Sequence, residues 1–505
     1  MPFLKSLPGI CIALGFADPE ELLQQARQET EAGETFFEFR LDYLRQPQAG
    51  VEAIHDFLEE HPECVILATC RRRQNRGRFN GSIEEQCRLL EAAVEARAQA
   101  VDIEIESAEQ AAPALLQLRE TARLLISYHN FEGTPPLETV LRRMLRCPAD
   151  AYKIVTTARK PSDVYRVLAL AKAHAKAQVI VLAMGEMGFP SRVLSSRFGG
   201  LFTYAAPATA EGTAAGQVSS KVLRHLYRVG KLSRSGKVYG VIADPVGHSM
   251  SPAVHNRAFQ ARRIDAVYLP FLTPSPHLKD FMTLAEKLPI MGFSVTIPHK
   301  QKILRYLDAV DPLARRIGAV NTVWRKAGKW RGMNTDAEAV VTPLRRCLRL
   351  PKSSVLVVGS GGAARAAAFA LVDAGAKVSI SGRDADRACA AALAKACGAE
   401  PLLREQLSSL HFDVLVHATP LGMSPRTEEC FFEDRIPAEV ILDMVYNPVE
   451  TLLLRRAGEQ GKTIVPGIQM FLEQAARQFE IWTGDSAPRS AMEKAALEAL
   501  GAVSL

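Results

Sequence analysis

The chain has 505 residues, of which 48% are hydrophobic and 23% charged, with a formal net charge of +7. That length exceeds what one hydrophobic core serves and predicts about three domains of ordinary soluble composition. No apolar run approaches the roughly 18–20 residues that a membrane-spanning helix needs, which argues against a membrane protein.

The stretch from Met1 to Gly15 carries one lysine and runs straight into ICIALG. It lacks the marks of a secretory signal or a transit peptide, so a cytoplasmic protein is expected. Eight short apolar runs follow: ICIALG (10–15), TFFEFRL (35–41), CVILATC (64–70), AVDIEIE (100–106), RLLISYH (123–129), AYKIVTT (151–157), QVIVLAM (178–184) and LFTYAAP (201–207). Segments of helical periodicity such as PEELLQQARQETEAG separate them. This is the arithmetic of a (β/α)8 barrel, although an open doubly wound sheet shares the pattern. Nine cysteines without a CxxC pair, several at strand positions such as Cys64 and Cys70, read as reduced thiols, and no metal site is expected. The basic segment from Arg71 to Arg78 is where nucleic-acid binding would be argued. One neighbouring aromatic, Phe79, and no recognisable nucleic-acid fold leave an anionic small substrate as the simpler account.

Polar residues favour the barrel over the open sheet. Glu38, Arg40 and Asp42 end the second run, Arg71 follows the third, and Glu104 and Glu106 close the fourth. His129 closes the fifth, Lys153 lies inside the sixth, and Arg192 follows the seventh. Such groups at the carboxyl ends of successive strands converge on a barrel mouth. A lysine in a strand could merely snorkel toward that mouth, and a lone histidine could be structural. Together they suggest an amine, desolvated and flanked by arginines, that attacks a ketone. The imidazole would then move the proton alpha to the iminium carbon, with the arginines holding a carboxylate.

Residues 5–230 resemble type I 3-dehydroquinate dehydratases. The matching motifs are Glu38-Phe39-Arg40-Leu41-Asp42, Thr69-Cys70-Arg71, Ser127-Tyr128-His129, Tyr152-Lys153-Ile154, the segment from Met184 to Arg192, and Thr213-Ala214-Ala215-Gly216-Gln217. The resemblance implies a Schiff base on Lys153, His129 as general base and acid, and Glu38 orienting His129. It also implies that Arg40, Arg71, Arg192, Thr213 and Gln217 hold the substrate. Two departures stand out. Gln74-Asn75-Arg76-Gly77 replaces the family's Glu-Gly-Gly, and Ala215 replaces a proline, which is expected to loosen the closing loop. If one activity is weak, the lyase is expected to be the weaker.

A segment expected to be a closing helix, SSKVLRHLYRVGKL (219–232), leads to the polar linker Ser233-Arg234-Ser235-Gly236, after which strand–helix alternation resumes. Residues 354–384 read as strand, glycine turn (Gly359, Ser360, Gly361, Gly362, Ala363), helix and strand. That is a dinucleotide fingerprint in its required context. The second strand ends at Gly382 and Arg383, with Arg387 a turn later; two guanidinium groups suit a 2′-phosphate, so NADP is expected. Asp384 is read as a helix cap or, less simply, a ribose ligand. Lys300 and Asp336 are the obvious acid/base pair, although surface charge and a helix cap would read the same way singly.

Residues 237–505 resemble shikimate dehydrogenases. The motifs are Asp244 to Pro252, Ser294 to Lys300, Gly318-Ala319-Val320-Asn321-Thr322, Asn334-Thr335-Asp336, His417 to Met423, Asp443 to Pro448, and Gly467 to Ala476. The resemblance implies Lys300 and Asp336 as the catalytic pair, and Ser249 and Ser251 on the ring carboxylate. Thr296, Asn321, Tyr446 and Gln474 would contact substrate, while Thr419, Met444 and Gly467 would join the fingerprint residues on the cofactor. His417 stands where the family has asparagine and is expected to be a donor near the cofactor. The expected domains are a barrel (1–232), a substrate-binding domain (237–340, completed by helices in 467–505) and a Rossmann domain (341–466). Such a chain would make 3-dehydroshikimate at one site and reduce it at the next. A quinate dehydrogenase fused to the dehydratase and a catalytically lapsed regulatory homologue are the alternatives, and the oligomeric state is left open.

Overall fold

The computed structural model describes residues 7–210 and 212–501. They form two compact units. One runs up to Gly236 and takes in Leu269–Thr273 and Lys279–Pro289; the other holds Lys237–Tyr268, Pro274–Leu278 and the chain from Ile290 onward. Among the described residues no helix is long and apolar enough to cross a membrane.

Each of the eight apolar runs forms a strand: β1 (Ile10–Leu14), β2 (Phe36–Arg40), β3 (Val65–Thr69), β4 (Ala100–Glu104), β5 (Arg123–Asn130), β6 (Ala151–Thr157), β7 (Val179–Met184) and β8 (Thr203–Ala205). All their ladders are parallel, and β8 pairs with β1. Leu201 N–H donates to Val179 O at 3.0 Å just ahead of β8, which ties the two ends into a (β/α)8 barrel. Helices between the strands carry their own start signals: α1 (Ile83–Glu95) opens with a capping box between Ser82 and Glu85. Strand alternation sends every second side chain inward. Near the amino ends these are Phe36, Leu67, Ala100, Leu125, Ala151, Ile180 and Phe202, which form one buried cluster. Further along the same strands, register sets Thr69 beside Asp102, Glu104 beside Ser127, and Ser127 beside Lys153. An apolar floor thus supports a polar layer. The expected closing helix is reduced to a short wide turn over Val222–Leu226, because Arg228 and Gly230 adopt left-handed φ of 55° and 81° that end it.

The chain after Gly236 forms two six-stranded sheets. The first, of order β10-β9-β11-β13-β14-β12, comprises β9 (Lys237–Ala243), β10 (Ala266–Leu272), β11 (Ile290–Val295), β12 (Ala309–Val310), β13 (Thr322–Lys326) and β14 (Lys329–Met333). Helix α2 (Ser251–Ala261) follows β9, and α3 (Asp336–Cys347) follows β14. The second sheet has β15 (Ser354–Val358), β16 (Lys377–Ser381), β17 (Glu400–Pro401), β18 (Phe412–His417), β19 (Ala438–Asp443) and β20 (Thr463–Val465). Its order β17-β16-β15-β18-β19-β20, all parallel, is the Rossmann arrangement, with α4 (Gly362–Asp373) after the first strand. Helix α5 (Gly467–Thr483) returns to the mixed sheet, where Trp482 Nε1 donates to Val323 O (3.1 Å) and Tyr239 OH donates to Trp482 O (3.2 Å).

Candidate active sites

Glu38, Arg40, Arg71, His129, Lys153, Arg192, Thr213 and Gln217 line one cavity at the barrel mouth. Lys153 is buried in β6, its Nζ 3.1 Å from Glu38 Oε1, 3.0 Å from Asp102 Oδ2 and 4.1 Å from the Tyr204 ring centre. The charges nearest the amine are therefore carboxylates rather than arginines; Arg71 stands behind one of them, 3.9 Å from Asp102. Glu38 also differs from expectation. It accepts from Thr69 Oγ1 (2.9 Å) and from Lys153, and makes no hydrogen bond to His129. Asp102 belongs to none of the motifs that mark the site in the sequence, although a buried lysine requires a counter-charge and Asp102 shares the inward parity of Glu104. Burial raises the Asp102 carboxyl, but Lys153, Arg71 and the Ser127 hydroxyl outweigh it and hold the group below its ordinary value. Glu106 points away, toward Asn75 and Arg143.

His129 is half-buried and stacks on Phe131. Burial, then the positive charges of Arg71, Lys153 and Arg40, hold its pKa well below that of an ordinary histidine, so the ring is a neutral proton acceptor near pH 7. Arg192 is fully buried and, among the described residues, donates only to backbone, to Tyr204 O (3.4 Å) and Ala215 O (3.2 Å). Burial lowers its pKa to about 10, which leaves it a cation. Arg71 Nε and Nη2 and Arg192 Nε have no hydrogen-bond partner among the described residues. Two buried guanidinium groups with unused donors fit a carboxylate arriving from solution. Arg40 is instead paired in two-pronged fashion with Asp42, at 2.9 Å on both prongs.

The arginine-rich segment is divided among local tasks. Arg71 enters the cavity, Arg76 lies over Phe131 at 4.7 Å, and Arg78 lies over Tyr43 at 3.9 Å. The loop that lost its proline is nevertheless tied down. Ala215 O accepts from Gly185 N–H (3.2 Å) as well as Arg192, and Gln217 Oε1 accepts from Ala214 N–H (3.2 Å).

In the second unit Lys300 Nζ meets Asp336 Oδ2 at 2.5 Å. Asp336 opens α3, and its Oδ1 accepts from Asn321 Nδ2 at 2.7 Å. Ser251, at the start of α2, is buried beside the Tyr268 hydroxyl and donates its N–H to Ser249 Oγ (3.3 Å). Burial and the nearby Asp336 charge raise the Tyr446 pKa, and Tyr446 packs on Phe471, whose carbonyl accepts from Gln474 Nε2 (3.0 Å). Thr296 follows β11 half-buried, and no side-chain hydrogen bond joins it to this cluster among the described residues.

The fingerprint residues from Gly359 to Ala363 sit between β15 and α4. Gly359 has φ 132°, and a Cβ there would lie 2.8 Å from Ala418 O, so the turn requires glycine. A Cβ at Gly362 would lie 3.2 Å from Lys300 Cδ, which places the lysine stem against the glycine turn. Gly382 and Arg387 line a cavity beyond β16 together with Asp384, while Arg383 is held by Asp386 (2.6 Å). No cap hydrogen bond forms at Asp384. Thr419 and Met444 follow β18 and β19, and Gly467 begins α5. His417 is not a free donor at this edge. It is fully buried, with Nδ1 on Asp443 (2.8 Å) and Nε2 on the Thr419 hydroxyl (2.5 Å), and so holds the Thr419 turn.

Two unrelated chemistries are thus built on one chain, and comparison with known proteins agrees. Residues 10–233 match the model of type I 3-dehydroquinase, 241–323 that of the shikimate dehydrogenase substrate-binding domain, and 467–497 that of the shikimate 5'-dehydrogenase C-terminal domain. The chloroplastic bifunctional 3-dehydroquinate dehydratase/shikimate dehydrogenase of Arabidopsis thaliana is 35% identical over 95% of this chain and 83% of its own. The chain belongs to this bifunctional family. A shikimate dehydrogenase (NADP(+)) of Bacillus cereus is 41% identical over 49% of this chain and 93% of its own. A solved shikimate dehydrogenase in complex with NADP+ matches with a TM-score of 0.50 at 34% identity, covering 53% of this chain and 97% of that one. The dehydratase half is therefore the barrel, and the reductase half is the two-sheet unit.

Proposed function

We propose that the barrel dehydrates 3-dehydroquinate through a Schiff base on Lys153, and that the second site reduces the resulting 3-dehydroshikimate to shikimate with NADPH. The observation that carries the first reaction is the Lys153 amine between Glu38 and Asp102, in one cavity with a neutral His129. The amine attacks the C3 ketone; as the C–N bond forms, two of its protons pass by way of the flanking carboxylates to the ketone oxygen, and the C3–O bond breaks with loss of water to give the iminium. His129 then takes the proton alpha to the iminium carbon and returns it to the departing β-hydroxyl as water leaves, and a second water adds to the iminium carbon, restoring the ketone and freeing the Lys153 amine. Arg71 and Arg192 hold the substrate carboxylate with their unused donors, and Thr213 and Gln217 meet its hydroxyls.

In the reductase half, Gly359 to Ala363 at the amino end of α4 suit a pyrophosphate, and Gly382, Arg383 and Arg387 suit a 2′-phosphate. Thr419, Met444 and Gly467 would complete this wall. Bound NADPH supplies a hydride to C3. Lys300 gives a proton to the carbonyl oxygen as it becomes a hydroxyl and is left a neutral amine, and Asp336, fixed by Asn321, holds that lysine in place. Ser249, Ser251, Thr296, Tyr446 and Gln474 surround the ring. The nine free thiols suit a reducing compartment, and we place the enzyme in the cytoplasm.

One test addresses both halves. Incubation with dehydroquinate and NADPH should yield shikimate with matching loss of NADPH, and borohydride added with dehydroquinate alone should leave a reduced adduct on Lys153. No adduct on that lysine sinks the Schiff-base assignment, and equal use of NADH and NADPH sinks the reading of Arg383 and Arg387.

A further inference from the structure

We infer that Gln478, on α5, is a positioning residue for the reductase acid/base pair: its amide fixes the orientation of Asn321 and, through it, of Asp336 against Lys300. The inference rests on the reductase reading above. Gln478 lies one turn beyond Gln474 on the same helix and is only 1% exposed. Its Nε2 donates to Thr322 Oγ1 at 3.1 Å and to Asn321 O at 3.3 Å. Thr322 Oγ1 in turn donates to Asn321 Oδ1 at 2.8 Å, which also accepts from Thr335 N–H at 2.8 Å. With its carbonyl held by those donors, Asn321 can only turn its amide nitrogen outward, and Nδ2 meets Asp336 Oδ1 at 2.7 Å.

The other end of Gln478 is equally committed. Its Oε1 accepts from Ser294 Oγ at 2.8 Å, and Ser294 Oγ accepts from Tyr268 OH at 2.7 Å. Along the row from Tyr268 to Asp336 each of these bonds has a defined donor, and the Thr335 hydroxyl lies beside it, 3.0 Å from both Thr322 Oγ1 and Asn321 Nδ2. A side-chain amide is the neutral group that can accept on one side and donate twice on the other. Without it, the Thr322 hydroxyl can turn to Thr335 Oγ1 (3.0 Å), which leaves the Asn321 carbonyl to Thr335 alone, and a flipped Asn321 would set its carbonyl oxygen against the Asp336 carboxylate. In a buried setting that repulsion is not screened. Asp336 would then lose the bond that holds it at Lys300. The same row passes Tyr268, the neighbour of Ser251, so one residue of α5 links the hydroxyl side of the cleft to the acid/base side. The His255 ring is a further polar neighbour of Gln478, so the link to Asn321 has to be tested separately.

The experiment compares Gln478→Met, which keeps volume and removes every hydrogen bond, with Thr322→Val, which cuts the same link from the strand side. The parent is assayed first for NADPH-dependent reduction of dehydroshikimate; no activity there removes the reading and this inference with it. With an active parent, each variant should lose about 10-fold in reductase kcat. KM for NADPH should stay within about two-fold of the parent, and dehydroquinate dehydration should be unchanged. The double variant should be no slower than the slower single one, because both cut one connection. A folded Gln478→Met with the parent's kcat, or losses that multiply in the double variant, overturns the inference. If Gln478→Met does not fold, Thr322→Val decides alone: the same kcat loss supports the link and an unchanged kcat overturns it.

Discussion

Both halves set a lysine against a carboxylate, yet the two settings differ in enclosure and in the number of counter-charges. Lys153 stands inside a closed ring of strands between two carboxylates, with 5% of its side chain exposed. Lys300 follows a strand, faces one carboxylate pinned by Asn321, leaves 17% of its side chain exposed, and rests its stem on the glycine turn. An amine walled in with two proton acceptors and a neutral imidazole is placed to form and break a covalent bond. An amine clamped to one fixed acid beside a dinucleotide turn is placed to hand a proton to an oxygen. Residue type is shared; packing sets the role.

The largest test of that contrast is Lys153→Ala. It should lower dehydration by at least about 10⁴-fold, as expected for loss of a nucleophile, and leave dehydroshikimate reduction intact. Residual dehydration near the parental rate, followed by absorbance of the conjugated product, would erase the distinction between the two lysines. Lys300→Ala should cost about 10²- to 10⁴-fold in reductase kcat, the range for a general acid. Its NADPH dissociation constant should stay within about three-fold by fluorescence titration; a collapse of cofactor binding would make the lysine a cofactor ligand instead.

Arg192→Ala should lower kcat/KM for dehydroquinate by about 10²-fold, the worth of a charge-assisted contact. A loss confined to stability, with kinetics unchanged, would mean that the buried guanidinium serves only Tyr204 O and Ala215 O. The smallest effect concerns folding. Burial pushes His255 to about 3, so it stays neutral in the folded protein where the unfolded chain takes up a proton. Its folded pKa lies below the unfolded one near 6.5, so stability falls as pH drops through 6.5 and continues to fall toward 3. Between pH 7 and pH 5 this amounts to about 2 kcal/mol in the reductase half. Urea unfolding followed by tryptophan emission should show that slope, and His255→Phe should flatten it; an unchanged slope would place the acid sensitivity elsewhere.

Much of this was legible before the structure. The eight barrel strands follow the eight apolar runs because alternation and turn residues act locally. The Rossmann fingerprint carries its own context of strand, turn and helix. The eight residues read into the dehydratase site meet in one cavity because a barrel brings the carboxyl ends of its strands together. Asp102 is not legible in the sequence because its importance comes from Lys153, fifty-one positions away, and that neighbour appears only when β4, β5 and β6 are in register. The closing helix is shorter than its hydrophobic pattern predicts, because the sign of φ at Arg228 does not follow from that pattern.

What the sequence by itself determined, then, is the pair of folds and the residue types at each site, since periodicity, glycine turns and strand-end polarity are local properties. The tertiary structure alone decided which groups share a proton. It took Glu38 from His129 and gave it to Lys153, removed His417 from the cofactor edge to hold Thr419, and brought Gln478 of the last long helix to Asn321. Those pairings join side chains far apart in the chain, and hydrogen bonds form only where folding has already brought donor and acceptor within about 3 Å.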